Sequence, residues 1–167
     1  GEGDWALDPA LVAETLAGDP TIRAVIAVDP LGHTADLDAL EAACASYGVP
    51  LIEDAAGAIG ARYRGRPSGT GGAAAIFSFN GNKTVTAGGG GMLVTDDAAM
   101  AQRVRHLSTQ ARLGSEYVHD MIGFNYRMTN INAALGLAQI ERLDEMVAAR
   151  STIAARYDGA FADLETI

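Results

Sequence analysis

Two short, nearly all-apolar runs, Ala24 to Val28 and Pro50 to Glu53, bracket a segment whose apolar residues recur at helical spacing. Runs of that kind are typical of strands buried in a parallel sheet. Between them, Asp36 to Tyr47 reads as a helix. Leu37, Leu40, Ala43, Cys44 and Tyr47 share one stripe, and Gly48 stands just past its end. A strand, a helix and a strand at such short spacing imply a right-handed crossover in an α/β layer structure. Upstream, Asp8-Pro9 opens a helix with a capping carboxylate and a first-turn proline, and Gly18 ends it.

Gly57 to Gly72 is rich in Gly and Arg and reads as loop. Ala73 to Phe79 predicts a strand, Asn80 to Gly90 a loop, and Gly91 to Thr95 a further strand. Asp96-Asp97 caps a helix running to about Ser108. Thr109 to Asn125 is irregular and polar. From a cap at Thr129 or Asn130, a long apolar-periodic stretch through Ile131, Leu135, Ala138 and Leu143 predicts helix to about Phe161. No internal repeat or low-complexity linker interrupts the chain.

Composition narrows the function classes. The 167 residues are 49% hydrophobic, enough for one domain-sized core. A net charge of −9 argues against nucleic acid and anionic membrane surfaces as partners. No apolar stretch approaches a membrane-spanning length, and no signal peptide is present. Cys44, the lone cysteine, cannot form an internal disulfide, which points to a reducing, cytoplasmic compartment. The chain starts with Gly1 rather than Met and ends inside a predicted helix, so a piece of a longer protein is expected.

The candidate chemistry lies at the strand exits. Lys83 follows Phe77-Ser78-Phe79-Asn80-Gly81-Asn82 and precedes Gly88-Gly89-Gly90-Gly91. A lysine that loses part of its solvation there is a usable amine nucleophile. Asp54 ends the strand of Leu51-Ile52-Glu53-Asp54. On local sequence alone it reads more readily as a helix N-cap, followed as it is by Ala55-Ala56. An amine and a carboxylate at the ends of neighbouring strands suit pyridoxal phosphate. The amine forms a Schiff base, and the carboxylate keeps the pyridine nitrogen protonated. Ser78 alternates with Phe77 and Phe79, so its hydroxyl faces away from both rings, toward a phosphate oxygen or a backbone group. These groups share the end of the sheet where α/β folds build sites. The Gly88 to Gly91 run fits neither a P-loop nor a dinucleotide fingerprint and reads as a turn passing close to a bulky group, or as an ordinary hairpin. His33, His106 and His119 have the wrong spacing for a metal, so no metal is assigned. Arg103, Arg105 and His106 read as a solvated helix face, and Cys44 as core.

An ordered series of motifs spans nearly the whole chain: Ile52-Glu53-Asp54-Ala55-Ala56, Gly65-Arg66, Phe77 to Lys83, Gly88 to Met92, and Gly123-Phe124-Asn125-Tyr126-Arg127-Met128. The series resembles the DegT/DnrJ/EryC1/StrS family of pyridoxal-phosphate sugar aminotransferases. Val28-Asp29, Asn80 to Lys83 and Ser108 to Arg112 resemble the branch that aminates UDP-4-keto-6-deoxy-N-acetylhexosamines, which includes the bacillosamine-pathway enzymes. The resemblance implies the central part of a fold type I large domain, a mostly parallel sheet with helices on both faces. Residues 1–142 would belong to that domain, and residues 143–167 would form a helix leading toward a small C-terminal domain. It implies that Lys83 is the Schiff-base lysine, Asp54 the pyridine-nitrogen carboxylate and Ser78 a phosphate ligand. Asn125 matches the asparagine that reaches the cofactor phosphate of the neighbouring subunit of a homodimer. The implied reaction is amino transfer from glutamate to a nucleotide-linked 4-keto sugar in cell-surface polysaccharide or glycan biosynthesis. A 3-keto-sugar aminotransferase and a non-catalytic truncated piece are the alternatives. Two departures stand out. Gly57 replaces a residue that is usually polar near the cofactor ring oxygen. The family's N-terminal phosphate cradle and stacking ring, and most of its small domain, have no counterpart here. The 167-residue chain alone is therefore expected to be inactive.

Overall fold

The computed structural model describes residues 5–164. Helix α1 (Pro9–Gly18) starts where the Asp8 side chain accepts from the Ala10 amide at 2.9 Å, with Pro9 in the first turn. Strand β1 (Val25–Val28) runs through a single turn of 3-10 helix, Pro30–Gly32, to α2 (Leu37–Ser46). The Asp36 carboxylate caps α2 from the Ala39 amide at 3.3 Å. Strand β2 (Leu51–Asp54) follows, and then a two-stranded hairpin of β3 (Arg62–Tyr63) and β4 (Arg66–Pro67). Strands β5 (Ala74–Ser78) and β6 (Gly91–Val94) complete the sheet. Helices α3 (Ala98–Ser108), α4 (Asn130–Ile140) and α5 (Leu143–Phe161) come last.

The main sheet has four strands in the order β1-β2-β5-β6. The first three are parallel, and β6 runs antiparallel to β5. The chain is thus α/β with a mostly parallel sheet. Alternation decides what each strand buries. Ala27 and Leu51 face a core that they share with Val12 and Leu16 of α1 and Leu37, Leu40 and Cys44 of α2. Ile26 and Val28 point the other way and are about half exposed, so β1 is covered on one face rather than two. A second cluster forms at the strand exits. There Phe79, Val85 and Ala87 are buried against Ile59, Met128, Leu143 and Met146, which brings α5 to the end of the sheet.

Three features depart from the sequence reading. The segment 57–72 contains the β3–β4 hairpin, whose turn residues Arg64 and Gly65 both take positive φ (48° and 85°), as a tight two-residue hairpin turn requires. Tyr63 is held there by a hydrogen bond from its hydroxyl to Asp36 and by the guanidinium groups of Arg64 and Arg66 over its ring. The long C-terminal helix is two helices, because Arg142 leaves helical geometry (φ −108°, ψ 15°) and restarts the chain with an ion pair to Glu145 at 3.0 Å. The Gly88 to Gly91 run lies in the β5–β6 connection. A Cβ on Gly91 would stand 2.6 Å from the Phe77 carbonyl oxygen, so here the close approach is to the neighbouring strand itself.

Leu40 is fully buried between α2 and the sheet. Leu40→Ala should lower unfolding stability by about 2–5 kcal/mol through lost burial and the residual cavity. Urea denaturation of the two chains measures the difference.

Candidate active site

The parallel pairing of β2 with β5 builds the site. Asp54 stands opposite Ile76, and Ser78 lies two residues farther along β5, so both end up at the same rim. Asp54 is half-buried, and one carboxylate oxygen, Oδ1, accepts from the Ala56 amide at 3.1 Å. That bond is the turn cap that local sequence suggests. Oδ2 makes no hydrogen bond among the described residues, so capping leaves one lone-pair edge of the carboxylate unused. Ser78 Oγ accepts from the Asn80 amide at 3.3 Å, which leaves its hydroxyl proton to donate. Lys83 follows in a turn closed by its own amide to the Asn80 carbonyl at 3.0 Å. Its ammonium has no acid partner among the described residues, and the residue is half-buried.

A cavity of about 500 Å³ opens beside Lys83. Its wall comes from the chain after β2, including Ala56 and Gly57, from Asn82 to Thr84, and from one face of α5. Asp54 and Ser78 stand at the strand ends and are not part of this wall, whereas Lys83 reaches it from the loop between β5 and β6. Asn125 is not brought to the cavity. It is exposed and meets Thr109 across an isolated antiparallel bridge. That bridge is held by hydrogen bonds from the Gln110 amide to the Phe124 carbonyl (2.9 Å) and from the Tyr126 amide to the Ser108 carbonyl (3.0 Å). Gly123 makes the crossing possible, since a Cβ there would stand 2.3 Å from the Gln110 carbonyl carbon.

Behind Asp54, on the opposite face of β2, lies a pair that sequence reasoning missed. Glu53 is completely buried, and its two oxygens accept from the Gly69 amide at 2.6 Å and the Gly71 amide at 2.8 Å. Asp29 is 1% exposed. Its Oδ1 accepts from the Ala35 amide at 3.2 Å, while Oδ2 is buried with no hydrogen-bond partner. Burial, opposed by the Ala35 bond and reinforced by the adjacent Glu53 and Asp54 charges, pushes the Asp29 carboxyl up to about 7. A proton on Asp29 would make the orphan oxygen a donor, with the Glu53 carboxylate as the neighbouring acceptor that favours it. The signal in sequence was the acidic residue at the exit of each apolar run.

A cavity of about 840 Å³, larger than the first, lies elsewhere, between α3 and the 109–127 segment. It corrects the reading of Arg103, Arg105 and His106 as a solvated face. His106 is half-buried, its Nε2 lies 2.7 Å from Asp120 Oδ1, and it lines this cavity with Arg103, Arg105 and Arg127. Lys83 takes no part in it. Cys44 is buried in the core, as its stripe predicts, and burial raises its thiol pKa. Among the described residues, no group of three His, Cys, Asp or Glu is placed to hold a metal ion. No helix there is long and apolar enough to cross a membrane.

The donors at the strand ends fit pyridoxal phosphate: an unpaired amine, a carboxylate with a free oxygen, and a hydroxyl with a free proton. Comparison with known proteins agrees. The sequence model of the DegT/DnrJ/EryC1/StrS aminotransferase family matches residues 2–167. EpsN of Bacillus subtilis, whose name describes a pyridoxal phosphate-dependent aminotransferase, is 49% identical over 146 residues, covering 87% of this chain and 38% of that protein. The GDP-perosamine synthase of Caulobacter vibrioides is 44% identical over 146 residues, covering 87% of this chain and 39% of its own. The crystal structure of DesV from S. venezuelae superposes with a TM-score of 0.88 at 39% identity, covering 96% of this chain and 43% of DesV. The chain therefore spans about two fifths of the length of these relatives.

The Asp29 carboxyl has its pKa raised by folding, from its ordinary 3.8 to about 7, so the folded state holds a proton that the unfolded state has lost between those limits. Stability should therefore be greatest below about pH 4 as far as this group is concerned, and fall as pH rises toward 7. The slope from this group approaches one proton, about 1.4 kcal/mol per pH unit. Asp29→Asn, with an amide donor facing Glu53, should remove that slope. Urea unfolding at pH 5 and pH 7 for both chains reads it out.

Proposed function

Because the chain belongs to the DegT/DnrJ/EryC1/StrS aminotransferase family, whose cofactor is pyridoxal phosphate, we propose that it forms the central part of the large domain of a sugar aminotransferase. The proposed reaction moves an amino group from glutamate to a nucleotide-linked 4-keto sugar, in a cytoplasmic step of cell-surface polysaccharide or glycan biosynthesis. The observation that carries this reading is the placement of Asp54, Ser78 and the loop of Lys83 at the same end of β2 and β5, with Lys83 on the wall of a cavity. Relatives named for sugar amination, such as GDP-perosamine synthase, support the substrate class.

In this reading Lys83 Nζ holds the cofactor through its aldehyde carbon. When not bonded to the cofactor, the same amine would be the general acid/base that moves a proton at the donor carbon. Asp54 Oδ2, the oxygen not used by the Ala56 amide, would hold the pyridine nitrogen in its protonated form, with the cap on Oδ1 fixing the carboxylate's direction. Ser78 Oγ donates to the cofactor phosphate, while its bond from the Asn80 amide orients the hydroxyl. Pyridoxal phosphate, when bound, supplies the electron sink that makes the donor carbon acidic. Asn125, exposed and outside its own chain's cavity, serves the phosphate of a partner subunit in a homodimer. The segments that complete the phosphate cradle lie outside this chain, so the 167 residues alone should bind the cofactor weakly and turn over little substrate.

Two measurements on the full-length protein containing this chain test the assignment. Borohydride reduction followed by peptide mapping should place the pyridoxyl group on Lys83, and label on another lysine would refute the role. Asp54→Asn should retain cofactor binding but lose amino transfer by orders of magnitude, since an amide cannot stabilise a protonated pyridine nitrogen as an anion does. Near-normal turnover would reduce Asp54 to a turn cap.

A further inference from the structure

The cavity beside Lys83 has an unusual charge balance. The chain carries 21 acidic and 12 basic residues, yet no Asp or Glu lines this cavity. Its charged wall residues are Lys83 and Arg150. The remainder is small and apolar side chains, amide and hydroxyl groups, and backbone. Arg150 has no hydrogen bond or ion pair among the described residues. The acids in the first turn of α5 form no ion pair with it, and Glu145 is committed to Arg142 at 3.0 Å.

The placement of Arg150 is enforced by packing. A Cβ on Gly60 would stand 2.6 Å from Val147 Cγ2 and 3.5 Å from Leu143 Cδ1, so α5 rests directly on the backbone of the 57–61 loop. Leu143 and Val147 are one helical turn apart, and the next turn on that face carries Arg150 and Ser151. Ser151 Oγ donates back to the Val147 carbonyl at 3.0 Å, which spends its proton within the helix. The guanidinium of Arg150 is therefore the strong donor that α5 offers to the cavity. If Lys83 is bonded to the cofactor, Arg150 is also the one fixed positive charge left on the wall.

We propose that Arg150 is a substrate-binding residue, which receives an oxyanion carried into the Lys83 cavity by a substrate. A planar guanidinium matches a carboxylate or a phosphate through paired N–H···O bonds. The two sources of such a group are the carboxylate of the amino donor and the diphosphate of the sugar nucleotide. The proposal rests on the aminotransferase reading, but its binding test does not require turnover.

The test is calorimetric titration of the cofactor-loaded full-length protein with succinate, a dicarboxylate without an amine, and separately with UDP. Arg150 is exposed on a helix, and Gln and Lys are good helix formers, so Arg150→Gln and Arg150→Lys retain the fold. Arg150→Gln should weaken binding of one probe tenfold or more, and Arg150→Lys should recover part of it. A loss confined to succinate assigns Arg150 to the amino donor, with a matching rise in KM for glutamate. A loss confined to UDP assigns it to the sugar nucleotide, with the rise in that substrate's KM. Wild-type affinity for both probes in Arg150→Gln, or no affinity for either in the wild type, overturns the proposal. Absence of amino transfer in a wild-type protein whose Arg150-dependent anion binding is intact would instead overturn the aminotransferase reading and leave the anion site standing.

Discussion

The register between β2 and β5 is the constraint on which the rest depends. Side chains alternate across a sheet, so a slip of one residue exchanges the two faces of a strand. In the observed register Asp54 stands opposite Ile76, and Glu53 opposite Ala75. Glu53 then meets the Gly69 and Gly71 amides on the helix-covered side, while Asp54 turns toward the opposite face. A slip would bury Asp54 without those amides and expose the glutamate. The adjacent carboxylates thus act as opposed markers: one is stable only where buried donors await it, and the other only at the rim.

The buried pair ties this register to β1. The Asp29 amide donates to the Asp54 carbonyl at 3.0 Å, and the Asp29 side chain faces Glu53. Leu37 and Leu40, buried in the same core, close water out of that region. The strand exits of β1 and β2 are consequently held by polar contacts as well as by the ladder between them. This gives Asp54 a rigid backbone on which to present its free oxygen.

Much of this was legible in the chain because it is local. Apolar runs gave the four strands of the main sheet. Asp8, Asp36, Asp97 and Thr129 announced helix starts that the structure realises with side-chain caps. Lys83, Asp54 and Ser78 could be placed at one end of a sheet because parallel topology leaves few arrangements. What escaped depends on partners far along the chain. Tyr63 finds Asp36 and His106 finds Asp120, and neither pairing has a sequence period. The β3–β4 hairpin is too short to show alternation, and its turn is signalled by Gly65 alone. The break at Arg142 is invisible to a periodic pattern that continues through it. Arg150 carries no signal of its own in the sequence, because its place follows from Gly60, which fixes the face of α5 that meets the loop.

The seat of Val147 on Gly60 has a mechanical consequence. Most helix contacts are cushioned by side chains that can change rotamer when the helix shifts. Here one partner is bare backbone, so no rotamer of residue 60 exists to absorb a displacement. Any tilt or slide of α5 must be passed on to the 57–61 segment, and through it to the wall of the cavity. Whatever pulls on the far end of this 19-residue helix therefore reshapes the pocket in proportion, as a lever rather than a spring.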